Sequence, residues 1–256
     1  MRGLSEKVGV VVGGAGGIGT ASCLRLADEG CAVAVGDING EAAQEVAERI
    51  RARGGRAISC QTDISEEYGV RDLISRAVAE FGGRDVLHAN AADLSPENIG
   101  RDSDAVDIPL EVFDRTIHVN ARGHLLCARH AIPELLKRGG GSVIFTSSGS
   151  SFTSEAQRVA YAMAKAGVNA LVRHIANRWG KEGIRANAIA PGLVRTEKNF
   201  EILEGQGVLA AVLSSMRSPR GGQPADIGAM VAFLASDDGE WITGQVIAVD
   251  GGSTMR

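Results

Sequence analysis

Two groups of residues in this sequence have types and spacings that could do chemistry. The first is Val12-Gly13-Gly14-Ala15-Gly16-Gly17-Ile18-Gly19, a run almost without side chains. Such a backbone lets an anion approach closely. If a helix starts at its end, free N–H groups and a partial positive charge face that anion. Gly14, Gly16 and Gly19 fit G-x-G-x-x-G, while Gly13, Gly17 and Gly19 fit G-x-x-x-G-x-G. Either spacing suits a dinucleotide pyrophosphate, although a tight turn also wants glycine. The second group is Tyr161 and Lys165, four residues apart and so on one helical face. A free phenol titrates near 10, too high for a base at neutral pH, and lowering it by ~3 units takes about 4 kcal/mol. One cation ~4 Å away at an effective dielectric of ~20 supplies about that much. The bland alternative is an ordinary exposed Tyr–Lys pair.

Asp37 stands 24 residues beyond Gly13, after the second apolar run. A carboxylate there accepts both hydroxyls of an adenosine ribose and repels a 2′-phosphate. No Lys or Arg lies within residues 13–19 to neutralise such a phosphate, so the expected cofactor is NAD(H) rather than NADP(H). Asp37 could instead cap the next helix.

The elements that must position these groups alternate regularly. Short β-type runs fall at 8–12, 31–35, 56–60, 85–90, 142–146, 184–189 and 245–249, and helical patterns at 18–29, 41–53, 65–81, 111–137, 159–180 and 225–235. Ser65 is the expected opener of the third helix. This rhythm predicts an α/β chain with a doubly wound parallel sheet, helices on both faces and right-handed crossovers. With no linker between units, residues 1–256 read as one domain. Two segments, 93–110 and 193–223, exceed the usual connection of ~2–6 residues. Both follow predicted strands, at the sheet edge where ligands bind in open α/β folds.

Composition narrows the class. Lys+Arg number 27 against 31 Asp+Glu, for a net charge of −4, which argues against a general nucleic-acid binder. Residues 8–24 carry no charge but hold six glycines, so no membrane span or leader is expected. Cys23, Cys31, Cys60 and Cys127 have no CxxC spacing and read as free thiols in a reducing cytoplasm. His118, His124 and His130 fall on different helix faces, and no metal is expected.

From these residues onward the chain resembles the short-chain dehydrogenase/reductase family over essentially its whole length. The resemblance rests on ordered motifs: Gly13-xxx-Gly17-Ile18-Gly19, Asp63-Ile64, Asn90-Ala91, Asn120, Ser148, Tyr161-xxx-Lys165, Asn187-Ala-Ile-Ala-Pro191-Gly192 and a terminal segment from Ile242 to Gly252. It implies a single-domain Rossmann fold with a seven-stranded sheet, and NAD-dependent hydride transfer between a secondary alcohol and a ketone. By resemblance Tyr161 is the acid/base, assisted by Lys165 and by the second positive charge of oxidised nicotinamide. Ser148, 13 residues earlier, holds the substrate oxygen, with Ser147 and Ser150 as rivals. Asn120 supports a water beside the lysine and completes a proton relay. The same resemblance gives Asp63 and Ile64 to adenine, Asn90 to its ribose, and Val194 and Thr196 to the nicotinamide amide. The chain departs from the family pattern at Val12 (usually Thr), at Ala89-Asn90-Ala91-Ala92 (usually N-N-A-G) and at Ala164 (usually Ser). None of these is among the four residues of the chemistry.

Beyond Thr196, Phe200, Ile202, Leu203, Val208, Leu209, Val212, Leu213 and Met216 suggest a mobile lid over a mid-sized, largely apolar alcohol or ketone. Arg195, Lys198, Arg217 and Arg220 could instead greet an anionic group, and residues 93–110 form one rim. The helices at 111–137 and 159–180 are apolar on more than one face, and with the family's habit they predict a homotetramer. Two rival functions remain: a ketone reductase resembling 3-oxoacyl carrier-protein reductases, which usually prefer NADPH, and an NAD-sensing regulator that does not turn its ligand over.

Overall fold

The run Val8–Val12 (β1) is apolar throughout because both of its faces are covered, and all five residues are buried. Parallel strands behave this way when helices pack on both sides of the sheet. The computed structural model describes residues 1–83, 85–153, 155–196, 213–214 and 216–255. In chain order it holds β1, α1 (Gly17–Asp28), β2 (Ala32–Asp37), α2 (Gly40–Ala52), β3 (Ala57–Gln61), α3 (Glu67–Phe81) and β4 (Val86–Ala89). There follow α4 (Pro96–Ile99), α5 (Leu110–Ile117), α6 (Gly123–Lys137), β5 (Gly141–Thr146), α7 (Val159–Trp179), β6 (Ile184–Pro191), a helix at Pro224–Ala235 (α8 here) and β7 (Val246–Val249).

The seven strands lie in the order β3-β2-β1-β4-β5-β6-β7, every pair parallel. The order reverses between β1 and β4, which opens a crevice at their carboxyl ends. One core layer joins Val10 and Val12 to α3, α6 and α7 through Leu73, Leu126 and Val172. The other joins Val11 to α1, α2 and α8 through Leu26, Ile50 and Val231. This is the single Rossmann-type α/β architecture expected from the alternation.

Three local expectations are corrected. Ser65 does not cap α3: its hydroxyl and N–H both donate to Asp63 Oδ1, at 2.6 and 2.8 Å, and the helix begins at Glu67. Asp37 is not the cap of α2, because Asn39 takes that place by accepting from Ala42 N at 3.0 Å. The pattern read as one helix over 111–137 is interrupted by a π-helical turn, His118–Arg122, that carries Asn120. The lid residues Phe200, Ile202, Leu203, Val208, Leu209 and Val212, and Lys198, lie outside the described residues. The two ends of that segment are tied together by a parallel bridge between Val194 and Gly222.

Helix α1 is held against α8 at a point without side-chain clearance. A Cβ on Gly228 would stand 2.8 Å from the Ala21 carbonyl oxygen, a backbone atom that cannot swing aside. Gly228→Ala is therefore expected to destabilise the chain by about 1–3 kcal/mol, seen as a lower urea midpoint at unchanged m-value.

Candidate active site

The glycine run forms the turn from β1 into α1. Gly13 has φ +79, and a Cβ there would stand 2.6 Å from Ala91 Cα; one on Gly19 would stand 1.9 Å from the Gly13 carbonyl oxygen. The turn thus folds back onto the first helical residues, where only hydrogen fits. The N-cap Gly16 supplies no side-chain cap, and a Cβ on it would meet nothing within 4 Å. The first N–H groups of a helix lack intrahelical partners, so this open cradle is built to receive an anion.

Asp37 ends β2 beside that turn. Its Oδ2 accepts from Ala15 N at 2.9 Å and its Oδ1 from Asn39 N at 3.0 Å. Each oxygen therefore keeps a free lone pair, and the carboxylate is fixed in direction. Ile64 is buried against Gly123, whose Cβ would stand 2.9 Å from Ile64 Cγ1. Thr196 packs over the helix start: a Cβ on Gly17 would lie 2.7 Å from its methyl carbon. Val194 is buried at the Gly222 bridge. Asn90 has a different setting from the one expected. Its Nδ2 donates to the Gly13 carbonyl at 2.9 Å and its Oδ1 accepts from the Thr146 hydroxyl at 2.9 Å, so its side chain braces the glycine turn from within. An uncapped helix start, a cradle that a side chain would fill and an oriented carboxylate fit a dinucleotide. No group of His, Cys, Asp or Glu among the described residues could hold a metal ion.

Next to this crevice, at the carboxyl ends of β4 and β5, stand the four residues of the expected chemistry. Lys165 is 1 % exposed, and its Nζ donates to the Thr146 carbonyl at 2.8 Å while standing 5.8 Å from the Tyr161 ring centroid. Ser148 faces the Tyr161 phenol and draws its titration down, while Ser148 Oγ donates to Ser150 Oγ at 3.3 Å. Its rivals are engaged elsewhere. Ser147 donates to Asn169 Oδ1 at 2.7 Å and is buried, and Ser150 donates to Glu155. Asn120 is fully buried in the π turn; its Oδ1 accepts from Asp93 N at 2.8 Å, and its Nδ2 has no protein partner. π turns of this kind are frequent at functional sites.

The charge states add what helical spacing does not show. Burial holds the Tyr161 phenol above its ordinary range, with the Ser148 hydrogen bond and the Arg158 charge pulling down. Burial also brings Lys165 itself down to about 7, so it is only partly charged at neutral pH. In the chain alone, burial therefore opposes ionisation of this phenol.

A buried chain of hydrogen bonds, not visible in the sequence, joins the lysine to the glycine turn. The Thr146 hydroxyl gives its proton to Asn90 Oδ1, so it must accept from His88 Nε2, 3.0 Å away. Burial pushes His88 down to about 3 and keeps the ring neutral, so with Nε2 donating, Nδ1 carries no proton. Among the cations considered for an anionic substrate, Arg220 is committed to Asp226 at 2.7 and 2.8 Å.

A family model described as enoyl-(acyl carrier protein) reductase matches residues 13–254. A probable short-chain type dehydrogenase/reductase of Bradyrhizobium diazoefficiens is 40% identical over 252 residues, covering 96% of this chain and 86% of that protein. The cis-4-hydroxycyclohexanecarboxylate dehydrogenase of Sinomonas cyclohexanicum is 36% identical over 252 residues, 98% of this chain and 97% of that one. A solved 7α-hydroxysteroid dehydrogenase, complexed with NADH and 7-oxo glycochenodeoxycholic acid, superposes with a TM-score of 0.89 at 31% identity, covering 100% of this chain and 96% of that one. The chain belongs to the short-chain dehydrogenase/reductase family. It is an oxidoreductase of the secondary alcohol/ketone kind.

The buried lysine leaves a signature on stability. Unfolded, it titrates near 10.5, and folded at about 7. Between these values the unfolded chain binds the extra proton, so this group makes stability rise with pH across that window. Lys165→Met is expected to be more stable than the wild type at pH 6, with the gain shrinking toward pH 10. Urea midpoints at both pH values check it, and a gain independent of pH would contradict it.

Proposed function

We propose that this chain is an NAD-dependent dehydrogenase interconverting a secondary alcohol and a ketone, with Tyr161 as acid/base and Ser148, Lys165 and Asn120 assisting. The observation that carries this reading is the convergence of the Ser148 hydroxyl, the Tyr161 phenol and the buried Lys165 ammonium beside the glycine cradle. In the oxidising direction Ser148 Oγ donates a hydrogen bond to the substrate oxygen, and Tyr161 Oη takes its proton. Lys165 Nζ stabilises the phenolate, and Asn120 supports a water through which the proton leaves. Oxidised nicotinamide, held by the glycine cradle and Asp37, would supply the hydride acceptor and a second positive charge beside the phenol.

Asp37 supports NAD over NADP. Its carboxylate faces the cradle with a free lone pair on each oxygen, ready for two ribose hydroxyls and hostile to a phosphate. It speaks equally against the reductase reading, whose members usually prefer NADPH. Gly13, Gly17, Ile18 and Gly19 would hold the pyrophosphate, Asp63 and Ile64 flank adenine, Val194 and Thr196 meet the nicotinamide amide, and the backbone at Asn90 borders the ribose. The relatives named for a hydroxycyclohexanecarboxylate and a hydroxysteroid support a cyclic, largely apolar secondary alcohol. We also place the protein in the cytoplasm, given its four buried free thiols. A homotetramer is supported by an apolar groove between α6 and α7 lined by Leu125, Ile132, Leu171 and Trp179.

Two variants test this reading. Tyr161→Phe should reduce turnover of a cyclic secondary alcohol by about a hundredfold or more while NADH affinity, read by nucleotide fluorescence, stays within about twofold. Unimpaired turnover would end the tyrosine-base assignment, and a chain that binds NADH but oxidises no alcohol would favour the sensor. Asp37→Ala should lower the preference for NAD⁺ over NADP⁺ on the order of tenfold in kcat/KM; a wild type that prefers NADP⁺ would refute the cofactor assignment.

A further inference from the structure

The N-terminus of α7 is held by a loop far away in sequence. Its N-cap, Arg158, has φ +67 and supplies no side-chain cap. The four consecutive backbone donors that need partners here all find them on Asp102 and Ser103. Arg158 N donates to the Asp102 carbonyl at 2.9 Å and Val159 N to the Ser103 carbonyl at 3.2 Å. Ala160 N donates to Asp102 Oδ1 at 3.0 Å and Tyr161 N to Asp102 Oδ2 at 2.8 Å. Asp102 is 3 % exposed, so water does not compete for its oxygens.

The loop that carries Asp102 is built rather than slack. It starts at Asp93, whose N–H donates to Asn120 Oδ1 and whose carboxylate pairs with Arg115 at 2.9 Å. It is pinned again by Asn98, buried and donating to the Thr116 hydroxyl at 2.9 Å. One strap thus grips the Asn120 side chain at one end and the Tyr161 backbone at the other. We propose that Asp102 is a positioning residue: a remote helix cap that fixes the first turn of α7 and with it the place of the Tyr161 hydroxyl between Ser148 and Lys165. Misplacing a reacting group by ~1 Å can cost ~10²-fold in rate, so this cap acts on the chemical step and not on cofactor binding.

The inference rests on Tyr161 being the base, and the test separates the two. Asp102→Ala and the isosteric Asp102→Asn, which keeps one acceptor, are compared with the wild type and Tyr161→Phe. Backbone hydrogen exchange, which needs no turnover, should quicken about tenfold or more in peptides spanning residues 158–163 and stay unchanged in the glycine turn. NADH affinity should stay within about twofold. With a carbinol-deuterated alcohol, kcat should fall about tenfold or more in Asp102→Ala and less in Asp102→Asn, and the primary isotope effect on kcat should rise. A merely smaller folded fraction would lower kcat without moving the isotope effect. The proposal is overturned if kcat and exchange at 158–163 match the wild type, or if NADH binding and exchange across the whole chain are lost together. If Tyr161→Phe keeps its turnover, the base assignment falls, whatever Asp102 does.

Discussion

Lys165 sits almost without water, and the fold offers its ammonium the Thr146 carbonyl at 2.8 Å. Burying a charge with so few partners is unfavourable, and the physical consequence is a lysine whose folded form titrates at about 7. The rest of the site is arranged around this cation. The neighbouring phenol, half-buried, is also pushed up by desolvation. A bound oxidised nicotinamide would favour the phenolate, and the phenolate would in turn favour the protonated lysine.

The parallel sheet solves the problem of bringing these groups together. Its strands end on one edge, so β1, β2, β4 and β5 deliver the glycine turn, Asp37, Asn90 and Thr146 to a single crevice. Thr146 does two jobs there. Its carbonyl holds the lysine, and its hydroxyl stands between His88 and Asn90, which in turn holds the Gly13 carbonyl. The glycine turn and the Tyr161–Lys165 pair are thus mechanically one unit. Helix α7 enters that unit from the opposite side, with its first turn tied to the strap that carries Asp102.

Much of this was legible in the sequence, because alternation of apolar runs and helical patterns reports the layers directly. The glycine turn, Asp37 and the Tyr161–Lys165 pair are local patterns and fell where expected. What was not legible is non-local. Asp102 lies 58 and 59 residues from the N–H groups it holds, and no window of sequence contains both partners. His88 reads as one polar residue in an apolar strand, without any sign of the Thr146 hydroxyl it faces. The π turn at Asn120 hides inside a helical period, since one extra residue in a turn barely disturbs the hydrophobic stripe. For a related reason, helical spacing gave the distance from Tyr161 to the cation but not the burial that opposes its ionisation.

The central claim is that the cofactor's charge, added to that of Lys165, turns a reluctant phenol into a base. The chain has two tyrosines, Tyr68 and Tyr161, so tyrosine labelled with ¹³C at Cζ gives two resonances that a pH titration by NMR can follow. The account predicts that the Tyr161 resonance titrates above the ordinary tyrosine range in the chain alone and lower when the chain is saturated with NAD⁺. A Tyr161 midpoint unchanged by NAD⁺ would contradict it.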